Sequence, residues 1–293
     1  MWLTALVHLA SGVPYAWLLG KGDASEQRHL ERLAGVLPRD ALVVTDAGYR
    51  GFDLLRALRQ AGADFLIRLS SAVTVYTPEY RPLKRFNEGQ VVYYWPEQAQ
   101  KKGLAPVRGR LIRVPGKKRR QDVWLLSSVL EEGRLSVAQA ARYYQARWGS
   151  EGFFRTYKRT LGQLKLQSDT PRLVFREAEA ALLGAQVLLC RGALAVAPPP
   201  AGEQAGPLRP WYSPRKVLLA LRREVQRLAA PRLRAGLGEG LAAAGRERRP
   251  GRRSGKVSRP WPQRKPHKPP KAPKILTLTD EQKALLAQHE QRE

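Results

Sequence analysis

The stretch ALVVTDAGYRGFDLLRALRQAGADFLIR, residues 41–68, decides the reading of the fold. Ala41 to Thr45 is a continuous apolar run of strand length, and it stops at Asp46-Ala47-Gly48, where a glycine suits a turn. Phe52 to Ala61 then sets Leu54, Leu55 and Leu58 at helical spacing, Gly62 closes the helix, and Phe65-Leu66-Ile67 begins a second strand. Strand, helix and strand in that order predict a βαβ unit with parallel strands and a right-handed crossover. Asp46 then stands at the carboxyl end of the sheet, where α/β folds gather ligands and metals. An aspartate that only caps the turn before Gly48 is the alternative.

Working outward, Trp2 to Leu9 and Pro14 to Leu19 are short, rich in β-formers and separated by Ser11-Gly12, which predicts an antiparallel hairpin. Ala24-Ser25-Glu26 opens a helical pattern carrying Leu30, Leu33 and Val36, with Asp23 in N-cap position just ahead. From Ala72 to Ser128 several short β-like runs are punctuated by Pro, Gly and basic clusters, which reads as a β-rich insertion rather than more of the α/β core. Ser136-x-x-Gln139 is a capping box, and the helix it starts is expected to run unbroken through Tyr144 and Glu151 to about Leu161. Thr170-Pro171 begins another long helix through Leu189, and Pro214 to Ala229 a basic one. Beyond Gly245 the chain is Arg, Lys, Pro and Gly, a composition that predicts disorder to Pro273 and a basic tail to the end.

Among the 293 residues, 52 are Lys or Arg and 25 Asp or Glu, a formal net charge of +27 that points to a polyanionic partner. Nucleic acid fits better than a membrane surface, because no basic helix with a clean apolar face stands out. The single cysteine, Cys190, excludes an intramolecular disulfide and suits a reducing cytoplasm. Met1 to Gly20 lacks the basic start of a signal peptide, and the run from Ala180 to Cys190 is too short to span a bilayer. A soluble, cytoplasmic, nucleoid-associated protein is expected.

Tyr144, Arg147, Glu151 and Lys158 follow one another at intervals of three, four and seven. On one continuous helix they would share an arc of roughly 60°. One carboxylate flanked by two cations and a phenol suits a metal held beside a phosphate, although a solvated helix face is the commoner outcome of such a pattern.

The spacing Tyr-x2-Arg-x3-Glu-x6-Lys resembles the signature of bacterial insertion-sequence transposases of the Asp-Asp-Glu type, specifically the IS-four group. The Asp46-Ala47-Gly48-Tyr49 turn and Phe65-Leu66-Ile67-Arg68 resemble the segment around that family's second catalytic aspartate. The likeness covers about Trp2 to Leu189 and implies an α/β fold, a ribonuclease-H-like mixed sheet with helices, whose β-rich insertion separates the second and third acids. It implies that Asp46 and Glu151 are catalytic and ligate Mg²⁺ or Mn²⁺. Tyr144, Arg147 and Lys158 would contact phosphates of double-stranded DNA at the element's terminal repeats, with a homodimer on the DNA. Trp124 would stack on a flipped base, against the plainer reading of a packed strand tryptophan.

The family also carries a first catalytic aspartate on an opening strand, and no residue here matches it. Asp23 is not a substitute. The resemblance therefore implies an inactive, truncated or mis-started enzyme that misses its first strand and first acid, its chemistry severely impaired with two carboxylates in place of three. The expected organisation is residues 1–71 as the first part of the core, 72–128 as the insertion, 129–200 as the helices carrying the signature, 201–244 as a helical extension and 245–293 as a basic disordered tail. Two other readings stay open: a non-catalytic basic nucleic-acid-binding protein, and another ribonuclease-H-like nuclease that cleaves without joining.

Overall fold

The computed structural model describes residues 1–79, 90–115, 122–163, 165–196, 212–229, 237–245 and 272–291. They form two compact units, the first from Met1–Thr4, Gly20–Gln145 and Pro262–Glu293, the second from Ala5–Leu19 and Ala146–Trp261.

In the first unit the predicted βαβ element is present. Strand β3 (Leu42–Thr45) and β4 (Asp64–Arg68) pair in parallel, from Leu42 opposite Asp64 to Thr45 opposite Ile67, and helix α2 (Phe52–Gln60) connects them. Leu54, Leu55 and Leu58 are fully buried, as an apolar stripe at helical spacing requires. Gly62, at φ +75, supplies the left-handed residue that ends α2. Helix α1 (Glu26–Ala34) buries His29, Leu30, Leu33 and Ala34. Its N-cap is Ser25, whose side chain accepts from the Arg28 N–H, so Asp23 is not the cap.

The segment expected to be an insertion is continuous with this sheet by hydrogen bonding. Strands β5 (Thr74–Thr77), β6 (Val91–Tyr94), β7 (Val107–Val114) and β8 (Val123–Ser127) give the order β3-β4-β8-β7-β6-β5, closed at the far edge by β9 (Lys274–Thr277). Only β3–β4 and β5–β9 are parallel; the other pairs are antiparallel. The join is made because β8 lies antiparallel against β4, with Leu66 opposite Ser127. A short helix α3 (Glu97–Lys101) follows β6. Helix α4 (Val137–Ala146) starts at the predicted box, with the Ser136 N–H donating to Gln139 Oε1 and the Gln139 N–H to Ser136 Oγ.

Strands β1 (Trp2–Val7) and β2 (Pro14–Gly20) are a hairpin as expected, but they make a separate two-stranded sheet and do not join the mixed one. The tail needs a second correction. Part of it lies outside the described residues, but Lys274–Thr277 is strand β9 and Asp280–Glu290 is helix α9. Ile275, Leu276 and Leu278 give this part of the tail an apolar content that the preceding residues lack.

Besides the hairpin residues Ala5–Leu19, the second unit holds the helices α5 (Gly149–Arg155), α6 (Pro171–Leu194), α7 (Pro214–Ala229) and α8 (Leu237–Gly245). Pro171 occupies the first turn of α6, where its missing N–H costs nothing. Its core collects Phe153, Leu182, Leu188, Leu189, Tyr212 and Val217. Gln186 of α6 donates to the Pro14 carbonyl, attaching the hairpin.

Candidate functional site

Asp46 sits at the carboxyl tip of β3, half-buried, as the N-cap of a 3-10 turn formed by Ala47–Tyr49. Its Oδ1 accepts from the Gly48 N–H at 2.9 Å. The two readings offered by the sequence coexist: the carboxylate caps the turn and stands at the strand end where α/β sites form. Sequence reasoning missed its neighbours. Gln27 Nε2 donates to the Gly48 carbonyl at 2.7 Å, and the Tyr49 phenol hydrogen-bonds the Glu26 carboxylate. Burial, then Glu26, then Asp46 push the Tyr49 phenol well above the ordinary tyrosine range. The only available signal was Glu26-Gln27 in the first turn of a helix, which gives no hint of a target 21 residues away.

The four-residue signature is not carried by one helix. Tyr144 lies in α4, Arg147 in the turn after it, Glu151 in α5, and Lys158 in a π-helical turn, Thr156–Thr160. The break at 147–148 is marked by tight bonds from the Ser150 N–H to the Arg147 carbonyl and from the Glu151 N–H to the Trp148 carbonyl, with Ser150 Oγ also donating to Arg147 O. At the second irregularity Thr156 Oγ1 donates back to Gly152 O, and the Leu161 N–H reaches Thr156 O, a span of five residues. The arc of roughly 60° expected of a straight helix does not apply.

Exposure sorts the predicted residues. Glu151 and Lys158 are exposed, alongside Arg155 and Arg159. Arg147 is half-buried, with its guanidinium carbon 4.9 Å from the centre of the Trp148 ring, and Trp148 itself is 59% exposed. Tyr144 is only 8% exposed and packs in a cluster with Leu66, Ile112, Leu125, Leu135 and Ala140. A phenol placed there is a core residue first, so direct phosphate contact by Tyr144 is not what this geometry offers. Trp124 is likewise 8% exposed, with Arg113 over its ring at 5.9 Å, which is the packed strand tryptophan rather than an open stacking platform. Asp46, Trp124 and Tyr144 belong to the first unit; Arg147, Glu151 and Lys158 belong to the second.

The Asp46 and Glu151 carboxylates are hard oxygen donors of the kind Mg²⁺ and Mn²⁺ prefer. Among the described residues no group of three or more His, Cys, Asp or Glu side chains could hold a metal ion. No described helix is long and apolar enough to cross a membrane.

No curated protein matches the chain. One solved structure that is similar, a piggyBac transposase synaptic complex with hairpin DNA, shares 14% identity at a TM-score of 0.36 over 85% of this chain. The chain spans 52% of that protein's length. Residues 1–185, well over half of the sequence and including both Asp46 and Glu151, match the family described as Transposase DDE domain, and the chain belongs to that family.

Proposed function

We propose that the chain is a transposase acting on the phosphodiesters of double-stranded DNA at insertion-sequence ends, with Asp46 and Glu151 as its acidic residues. The observation that carries this reading is the position of Asp46 at the tip of a parallel strand inside the stretch that matches the family. The β3–α2–β4 unit is the part we assign to a ribonuclease-H-like core. Glu151 supports the reading by its exposure, in a stretch of chain where Arg155, Lys158 and Arg159 are exposed cations able to neutralise phosphates. Arg147 and Lys158 are the assigned phosphate contacts. A net charge of +27 supplies attraction for DNA independent of sequence.

Transposases of this family generally depend on a divalent metal. Asp46 and Glu151 offer carboxylate oxygens to such an ion, and a complete coordination sphere requires further oxygen donors beside these two side chains. The test is cleavage and joining of DNA carrying the element's ends, in Mg²⁺ or Mn²⁺, by the protein and by Asp46→Asn and Glu151→Gln. Loss of both reactions with DNA binding retained supports the assignment. Unchanged reactions in both variants overturn it.

A second reading, a non-catalytic DNA-binding member of the family, is favoured by the charge excess alone, since that attraction does not depend on either acid. It predicts salt-sensitive DNA binding with no strand cleavage or joining under any metal.

A further inference from the structure

The edge of the mixed sheet at β5 is finished by a segment from the far end of the chain. β9 runs parallel to β5 from Thr74 opposite Lys274 to Thr77 opposite Thr277. The ladder is extended by the Lys274 N–H donating to Val73 O and the Leu278 N–H donating to Thr77 O, both at 2.9 Å. Past the strand, Leu278 is 3% exposed in a cluster with Tyr93, Trp95 and Ala99, with Leu286 packed against it. Gln282 Nε2 donates to Gln100 Oε1 at 2.9 Å, and the His289 ring meets Trp95 edge-on with centroids 6.3 Å apart.

Two features make this a docked module rather than an integral strand. Its local structure is its own: Thr279 and Gln282 form a reciprocal capping box, and Lys283 pairs with Asp280. Its attachment consists of backbone pairing, one fully buried leucine with Leu286 beside it, and a few polar and ring contacts, while the β9 side chains are mostly exposed. The connection is also long. Residues 246–273 separate α8 from β9, about 28 residues that reach roughly 90 Å when extended. A parallel strand added at an edge needs no local turn, so the register does not specify which copy of the chain supplies it.

We infer that the β5 edge, together with the groove formed by Tyr93, Trp95 and Ala99, is a docking site for the Lys274–Glu290 segment of a second copy of this chain, giving a reciprocally exchanged dimer. Every bond of the closed monomer is reproduced in the exchanged form. The balance is set only by association against closure of the connecting residues, and so by protein concentration. This inference stands on the β5–β9 contact and does not depend on the role of Asp46 or Glu151.

The test uses full-length chains in which Cys190→Ser removes the native thiol. One copy carries Thr74→Cys alone and the other Lys274→Cys alone; these positions are register partners, within disulfide reach. Mixed and concentrated, then diluted and oxidised, the two form a heterodimer in excess of the homodimers that chance collision of accessible thiols gives, and its yield rises with the concentration before dilution. A chain carrying both substitutions is the control, closing internally at low concentration. Internal closure with no heterodimer at any concentration overturns the inference, and so does failure of the double variant to link at all. Sedimentation of the native chain gives an independent measure: a concentration-dependent dimer lost in Leu278→Asp supports exchange, and a monomer throughout overturns it.

Discussion

Gln27 donates from Nε2 to the carbonyl of Gly48 at 2.7 Å, tying the first turn of α1 to the 3-10 turn whose other end is capped by Asp46. The same turn is held by the Gly48 N–H on Asp46 Oδ1 and by the Tyr49 phenol on Glu26. Asp46 is thus oriented by a helix that precedes it in sequence and packs beside it in space.

Gly51 gives this clamp a measurable handle. A Cβ at Gly51 would lie 2.2 Å from Gln27 Oε1, so Gly51→Ala forces the flexible end of Gln27 away from Gly48. Loss of that hydrogen bond should cost about 0.5–1.5 kcal/mol in urea unfolding, and Gln27→Ala a similar amount. The two changes share one cause and must not add: Gly51→Ala made in the Gln27→Ala background should cost close to nothing. Full additivity in the double-mutant cycle rejects the clamp.

Tyr49 predicts an alkaline loss of stability. Its folded-state pKa is raised by burial and by the nearby Glu26 and Asp46 carboxylates, so the folded chain keeps a proton that the unfolded chain releases near pH ~10. The stabilisation is therefore complete below that pH and declines as pH rises above it towards the folded value. Tyr49→Phe should flatten the decline in stability measured above pH ~10, at the expense of the bond to Glu26 at neutral pH. Tyr94 and Tyr157, also raised chiefly by burial, leave a residual slope. An unchanged alkaline profile in Tyr49→Phe counts against the assignment.

Much of the first unit was legible because local signals and tertiary structure agree there. The run at Val43-Val44-Thr45, the Leu54/Leu55/Leu58 stripe and Gly62 each specify their element without help from distant residues. The signature helix misled because periodicity assumes a regular backbone. Hydroxyls of Ser150 and Thr156 bond main-chain carbonyls and accompany the break and the π turn, and neither is visible as a change in hydrophobic spacing. Tyr144 shows the same limit in its burial: Ala140, one turn earlier on the same stripe, marks the face as not simply polar, but spacing alone does not say that the phenol follows it into the core. The β9–α9 segment was hidden by the basic stretch before it, because pairing with β5 is a contact across about 200 residues that no local rule reports.

In the second unit Gly192 is required by an aromatic ring. A Cβ there would approach Tyr212 Cε2 to 2.3 Å, and that ring is held by its hydroxyl donating to Leu189 O at 2.9 Å. Unlike Gln27, the tyrosine has no room to swing aside, being 2% exposed. Gly192→Ala should destabilise by about 1–3 kcal/mol in thermal unfolding, as overpacking of a fixed core does. Adding Tyr212→Phe frees the ring from Leu189 and should recover part of the loss. No destabilisation by Gly192→Ala would show that α6 can shift against Tyr212.

The DNA assignment makes a quantitative demand on salt dependence. A cation that neutralises one phosphate of duplex DNA releases a counterion, so removing it should reduce the slope of log K against log salt by about 0.9. Lys158, exposed on the π turn, and Arg147, stacked on Trp148, should each show this in Lys158→Ala and Arg147→Ala measured on duplex DNA. Glu151→Gln removes an exposed anion from the same stretch and should bind slightly more tightly at low salt. Tyr144→Phe is the control, because a neutral phenol buried among Leu66, Ile112 and Leu125 neutralises no phosphate and its loss should leave the slope unchanged. If Lys158→Ala and Arg147→Ala bind with the parental slope, the attraction comes from other parts of the +27 charge, and the signature cations lose their assigned role.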